Sequence, residues 1–243
     1  MYRKIVSMMT INYPTLKIVE NYLNNYFNRP ISLSSCISTM GYNVGGGSMF
    51  LLGGANIPNE PITGIDIPIL INGSNSAKEN HGTIMILEQD PLRRLSDFQT
   101  IYNTSQLQNN AIVGTPNAFH TNPVEFYKEL VHHMIKDGWS VYLTDTYKIW
   151  APGLKGGKNR WTDNEKDLLC EEISCIKPTI VLLCGKEAKK AYDKIQCTSN
   201  ITIVDVPHPS GRANRAWKKI LGTKTTDANK RDFILNKIRN IKP

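Results

Sequence analysis

Apolar residues recur at helical spacing in four stretches, Thr15 to Phe27, Val124 to Lys136, Thr162 to Ile176 and Lys186 to Ile195. Strand-sized apolar runs fall between several of them: Thr83-Ile84-Met85-Ile86-Leu87, Ser140-Val141-Tyr142-Leu143-Thr144, Thr179 to Cys184, and Ile201-Thr202-Ile203-Val204-Asp205-Val206. Alternation of helices with such strands predicts a mostly parallel sheet. Thr162 is a helix N-cap by its spacing, because Glu165 stands three residues on, and Lys177-Pro178 closes that helix. From Gly41 to Lys78 the pattern changes. Gly45-Gly46-Gly47, Gly53-Gly54 and several prolines there predict loops and short strands wrapped on the core.

The 243 residues fit one domain over 1–243, with 1–80 as an N-terminal extension packed on it. Apolar residues at 40% and charged residues at 21% are ordinary globular usage and exclude a fibrous or disordered chain. A net charge of +8 suits a polyanionic partner such as nucleic acid, although solubility alone explains it equally well. No apolar stretch reaches membrane-spanning length and no signal core opens the chain, so a cytoplasmic protein without a membrane partner is expected. The five cysteines, Cys36, Cys170, Cys175, Cys184 and Cys197, lack close pairs, which predicts free thiols, no metal and Cys184 in the core. Val44-Gly45-Gly46-Gly47-Ser48 fits no phosphate-binding pattern. The basic stretch from Arg215 through Lys242 is expected to form a solvated helical face.

Three strand-like runs end on chemistry. The first leads into Glu88-Gln89-Asp90-Pro91-Leu92, the second delivers Asp145, and the last leads into His208-Pro209-Ser210-Gly211-Arg212. In an open α/β sheet the carboxyl ends of the strands border the ligand crevice, so an acid and a histidine are expected to share one site with Asp145.

Ile86-Leu87-Glu88-Gln89-Asp90-Pro91, Ala118-Phe119, Val141 to Asp145, Ile176-Lys177-Pro178 to Gly185-Lys186-Glu187-Ala188, and His208-Pro209-Ser210 resemble the uracil-DNA glycosylase superfamily in order and spacing. The resemblance runs from about Thr83 to Trp217, and the first eighty or so residues do not align. It implies a three-layer α/β/α fold around a central, mostly parallel four-stranded sheet. It also implies DNA as partner, with a nucleotide flipped into a pocket at the strand ends and its N-glycosidic bond hydrolysed. Breaking that bond builds positive charge on the sugar and negative charge on the base. By resemblance Asp90 orients water and stabilises the sugar cation, and His208 donates to pyrimidine O2. Phe119 stacks on the base, with Gln89, Leu92 and Asp145 around its edge. Ser210 holds a flanking phosphate and Arg212 stands where relatives carry a wedge or backbone contact. Arg215, Arg93 and Arg94 complete the expected DNA-facing set. An iron-sulfur cluster is not expected, since the N-terminal cysteine pair it needs is absent, and neither a cofactor nor an obligate protein partner is implied.

Two departures from the family pattern bear on the substrate. Uracil-specific relatives present an asparagine where this chain has Asp145. A carboxyl suits cytosine better, accepting from N4 and, when protonated, donating to N3. Where the classical enzymes carry a tyrosine that blocks pyrimidine C5, this chain has Leu92, and Arg93 and Arg94 follow as donors for a polar appendage. The expectation is a monofunctional glycosylase for hydroxymethylcytosine or its glucosylated form, acting in antiviral defence. A repair glycosylase for uracil or another deaminated base, and a non-catalytic module that senses modified DNA, are the alternatives.

Overall fold

In the computed structural model the described residues are 9–40, 50–55, 57, 63–73, 81–89, 103–114, 124–151, 162–195, 200–223 and 225–241. The parallel strands are β5 (Thr83–Glu88), β7 (Ser140–Asp145), β9 (Ile180–Cys184) and β10 (Thr202–Val206), in spatial order β7-β5-β9-β10. Successive side chains of a strand point to opposite faces; both faces of β5, β7 and β9 are apolar, while the edge strand β10 buries only Val204 and Val206. Ile84, Ile86, Val141, Leu143, Ile180, Leu182, Val204 and Val206 share one core cluster; Met85, Leu87, Tyr142, Val181 and Leu183 share another. Each fully buried Ile or Leu stabilises by about 1.5–3 kcal/mol relative to exposure, which explains why β5, β7 and β9 read as continuous apolar runs.

Helices cover both faces, giving the three layers expected. On the first face lie α4 (Val124–Lys136), α7 (Asn214–Leu221) and α8 (Asp227–Arg239), through Phe126, Leu130, Trp217, Ile234 and Ile238. On the second lie α5 (Asp163–Ile176) and α6 (Lys186–Tyr192), through Leu169, Ile173 and Ala188. The α5 start follows the expected logic: the Thr162 amide donates to Glu165 Oε2 at 3.0 Å, and the helix ends where Lys177 turns left-handed. The α6 helix stops three residues short of expectation, because 193–195 form turns, although Ile195 still packs into the core from the turn. The basic C-terminal stretch is less solvated than its charge suggests. Trp217, Ile234, Leu235 and Ile238 are buried, and so is Lys230.

Two features exceed the expected sheet. The strands β4 (Ile69–Ile71) and β1 (Met9–Thr10) add to it antiparallel beyond β7, making six strands. A second sheet of four strands, β2 (Phe50–Gly53), β6 (Asn110–Gly114), β3 (Thr63–Asp66) and β8 (Ile149–Trp150), runs in the order β2-β6-β3-β8. Part of the region expected as short strands thus builds a sheet of its own. Helices α1 (Tyr13–Phe27) and α2 (Leu33–Met40) supply its core with Leu16, Val19, Leu23 and Leu33, joined by Leu168 of α5. Asn12 caps α1 by accepting from the Thr15 amide at 3.1 Å, Pro14 stands in its first turn, and Glu20 pins α2 by accepting from the Ser34 amide at 2.8 Å. The remaining helix, α3 (Thr104–Asn109), leads into β6 from a capping box at Asn103. Among the described residues no helix is long and apolar enough to cross a membrane.

Candidate active site

The register of the parallel strands brings their carboxyl ends level. Glu88 lies opposite Asp145, Leu87 opposite Leu183, and Cys184 opposite Val206, so the segment after β10 emerges beside the end of β5. His208 is two residues beyond that strand, and its Nε2 stands 3.6 Å from Glu88 Oε2. Asp145 and His208 therefore flank Glu88 at one sheet edge.

The His208 loop is held by its own backbone. The Ser210 amide donates to His208 Nδ1 at 3.1 Å, the Trp217 indole N–H donates to the His208 carbonyl at 3.0 Å, and the buried Lys230 ammonium donates to the Pro209 carbonyl at 3.0 Å. Because Nδ1 accepts, a neutral His208 carries its proton on Nε2, the nitrogen that faces the acids. Gly185 permits the close approach of this loop. Its φ is +97°, and a Cβ there would lie 3.1 Å from the His208 Cβ.

A second junction delivers the acids. Strands β3 and β4 follow each other with only Ile67-Pro68 between, and pair antiparallel with β8 and β7 in turn. The pairs Ile65–Ile149 and Ile69–Leu143 leave four steps on one chain facing six on the other. The surplus bulges at Thr146 to Lys148, where the ribbon crosses from one sheet to the other. The bulge is tied down by Thr146 and Tyr147 amides donating to the Glu88 and Gln89 carbonyls at 2.9 and 3.0 Å, and by the Asp66 amide donating to the Lys148 carbonyl at 3.2 Å. Three acids meet here. Asp66 is 1% exposed, Asp145 2% and Glu88 7%.

Burial first, then the charges of Asp66 and Glu88, push the Asp145 carboxyl well above the usual carboxylate range, and Lys148 opposes them only in part. Asp145 Oδ2 and Glu88 Oε1 are buried without a hydrogen-bond partner among the described residues. Such groups cost free energy unless a ligand or solvent engages them.

On the opposite face Lys148 is committed to structure. Its ammonium lies 2.8 Å from Glu172 Oε2 as an ion contact, off the direction of a hydrogen bond, and donates to Thr144 Oγ1 and the Asp145 carbonyl. Glu172 Oε1 accepts from the Tyr142 hydroxyl at 2.7 Å and from Thr144 at 3.0 Å.

Of the residues expected from sequence, Asp145, His208 and Gln89 lie at this edge, with Gln89 exposed. Ser210 is half-buried in the loop, Arg212 is exposed in the 3-10 turn Gly211–Ala213, and Arg215 is exposed at the start of α7. Asp90, Leu92, Arg93, Arg94 and Phe119 lie outside the described residues. Cys184 is a core residue whose thiol burial pushes up, away from nucleophilic use. Sequence reasoning did not assign Asp66 or Glu88. Glu88 had a usable signal, sharing the face of Ile84 and Ile86 at period two, and Asp66 had a weaker one as an acid between Ile65 and Ile67.

A family model described as the uracil DNA glycosylase superfamily matches residues 77–239. No curated protein matches the chain.

Proposed function

Because the chain belongs to the uracil-DNA glycosylase superfamily, whose members are DNA glycosylases, we propose that it is a monofunctional enzyme for C5-modified cytosine. It extrudes hydroxymethylcytosine or its glucosylated form from DNA and hydrolyses the N-glycosidic bond to leave an abasic site. One observation carries the substrate reading: Asp145 is a buried carboxyl held above its usual range. When protonated, such an acid donates from one oxygen and accepts at the other, the complement of cytosine N3 and N4. An ionised carboxylate could do only the second, and would repel the charge that grows on the departing base.

As the C1′–N1 bond breaks, the electron pair moves into the base and positive charge develops on the sugar. The proton on His208 Nε2 serves pyrimidine O2, where that negative charge collects, and Asp90 directs water at C1′. Phe119 stacks on the base beside Gln89, and Leu92 leaves room at C5 for a substituent that Arg93 and Arg94 contact. Ser210, Arg212 and Arg215 hold the flanking backbone, which fixes position without reading sequence. Such bases occur in some bacteriophage genomes, so the activity would act against phage while sparing ordinary cytosine.

The deciding experiment is mass spectrometry of bases released from DNA carrying uracil, cytosine, methylcytosine, hydroxymethylcytosine or glucosylated hydroxymethylcytosine. Release of the modified cytosines supports the reading. Release of uracil alone overturns it in favour of a repair enzyme, and binding of modified DNA with no release makes the protein a non-catalytic sensor.

A further inference from the structure

Asp66 lies outside the segment that matches the family, which begins at residue 77, yet it is built into the acid cluster at the sheet edge. It arrives on β3, a strand of the second sheet, and its place is set by the bulged ribbon that also presents Asp145. Both carboxyls are almost fully buried on that one bulged ribbon, and the charge of Asp66 raises the Asp145 carboxyl. Neighbouring carboxyls can hydrogen-bond to each other only when a proton lies between them, as carboxylates have acceptors alone. Two bare carboxylates this close, with Glu88 a third, would repel in a site of low dielectric. The second oxygen of Asp145, Oδ2, is buried and unpartnered among the described residues, so the pair keeps an unused hydrogen-bonding valence.

We infer that Asp66 is a positioning residue for base excision, sharing a proton with Asp145 so that Asp145 enters the reaction as an acid. The inference rests on the reading of Asp145 as the group that meets the base edge. In the empty site the proton lies between Asp145 and Asp66; when cytosine enters, N3 replaces Asp66 as its acceptor and the N4 amino group donates to Asp145. As the C1′–N1 bond breaks, Asp145 passes the proton to N3, so the base departs neutral, although cytosine is a poorer leaving group than uracil. The hydroxyl of water joins C1′, the proton of that water leaves to solvent, and Asp145 is reprotonated from solvent, which balances the hydrolysis. The N-terminal extension thereby takes part in the chemistry, because it carries the second carboxyl of the pair.

The groups that set the titration of Asp145 are Asp66 from β3, Glu88 from β5 and Lys148 after β7, with Glu172 of α5 paired to Lys148 and His208 facing Glu88. Removing the Asp66 charge removes a repulsion, so Asp145 gives up its proton at lower pH. Asp66→Asn keeps the volume and can still donate to Asp145, and it relieves like charge in the interior, so it should unfold at a temperature no lower than the wild type.

The experiment compares the wild-type protein, D66N and D145N in two measurements. Infrared difference spectra at neutral pH should show the C=O band of a protonated carboxyl in the wild type, absent in D145N and lost or shifted in D66N. Single-turnover release of the wild type's preferred base, followed across pH, should fall in D66N by about tenfold or more at neutral pH and recover on acidification, with KM nearly unchanged. A D66N pH profile that matches the wild type, or a loss of equal size at every pH, overturns the inference, since a merely structural role moves no titration. The outcomes separate the two readings. If the wild type releases uracil alone, the substrate reading fails, and a carboxyl band that disappears in D66N still upholds the shared proton. If modified cytosine is released while D66N leaves band and profile unchanged, the role of Asp66 fails and the substrate reading stands.

Discussion

Lys148→Met should destabilise the protein by about 3–5 kcal/mol, the usual cost of breaking a buried ion pair by removing one partner. The structure places this case at the severe end. The Lys148 side chain is 1% exposed and that of Glu172 0%, the charges are 2.8 Å apart, and the same ammonium also donates to Thr144 and the Asp145 carbonyl. Methionine fills much of the volume of the lysine stem but leaves Glu172 as a buried charge with only the Tyr142 and Thr144 hydroxyls against it. For a chain of this size about 1 kcal/mol corresponds to roughly 2–4 °C in Tm, so the expected fall is on the order of 6–20 °C. Urea unfolding measures it directly, and the double variant Lys148→Met/Glu172→Gln completes a cycle. Removing both charges should recover more than half of the loss, because no unpaired ion remains. A control at Lys190–Glu187, an exposed pair at 2.8 Å, should change stability by less than about 1 kcal/mol. A loss below about 1 kcal/mol for Lys148→Met, or a double variant no better than the single, would refute the account of this network as a buried pair under tension from desolvation.

Asp145→Asn should abolish release of cytosine-type bases and turn preference toward uracil. It should also change stability with pH: a carboxyl raised by folding contributes stability that is fully present below its unfolded value and lost as pH rises. The wild type should therefore lose stability from acidic toward neutral pH relative to D145N, as pH-resolved thermal unfolding can show. Gly185→Ala should cost about 1–3 kcal/mol, since φ +97° with ψ 175° is a region nearly restricted to glycine. It should also lower excision with DNA affinity kept, because the new Cβ presses on His208; an active, fully stable alanine variant would contradict this. Lys230→Met should remove a charged hydrogen bond to the Pro209 carbonyl, worth about 1.5–3 kcal/mol. The His208 loop should loosen with it, and excision should fall more than the change in stability explains.

What could be read from the chain was what repeats locally. The period of apolar positions located α4 at Val124–Lys136 and the four parallel strands, and polar residues at the ends of those strands marked Asp145 and His208 before any contact was known. The short strands β6 and β8 were not legible, because five or two residues acquire strand identity only from the partners that bond them. Nor did the glycine- and proline-rich character of the first eighty residues disclose that part of them forms a second sheet.

The alternating α/β layering is written into the chain, because burying an apolar face at period 2 or 3.6 is a property of neighbouring residues. The convergence of Asp66, Glu88 and Asp145 on one buried cluster is not. Their meeting depends on strand register and on a two-residue surplus in a bent ribbon. The upward shift of the Asp145 carboxyl follows from desolvation and like charge, which exist only once segments distant in the chain have excluded water together.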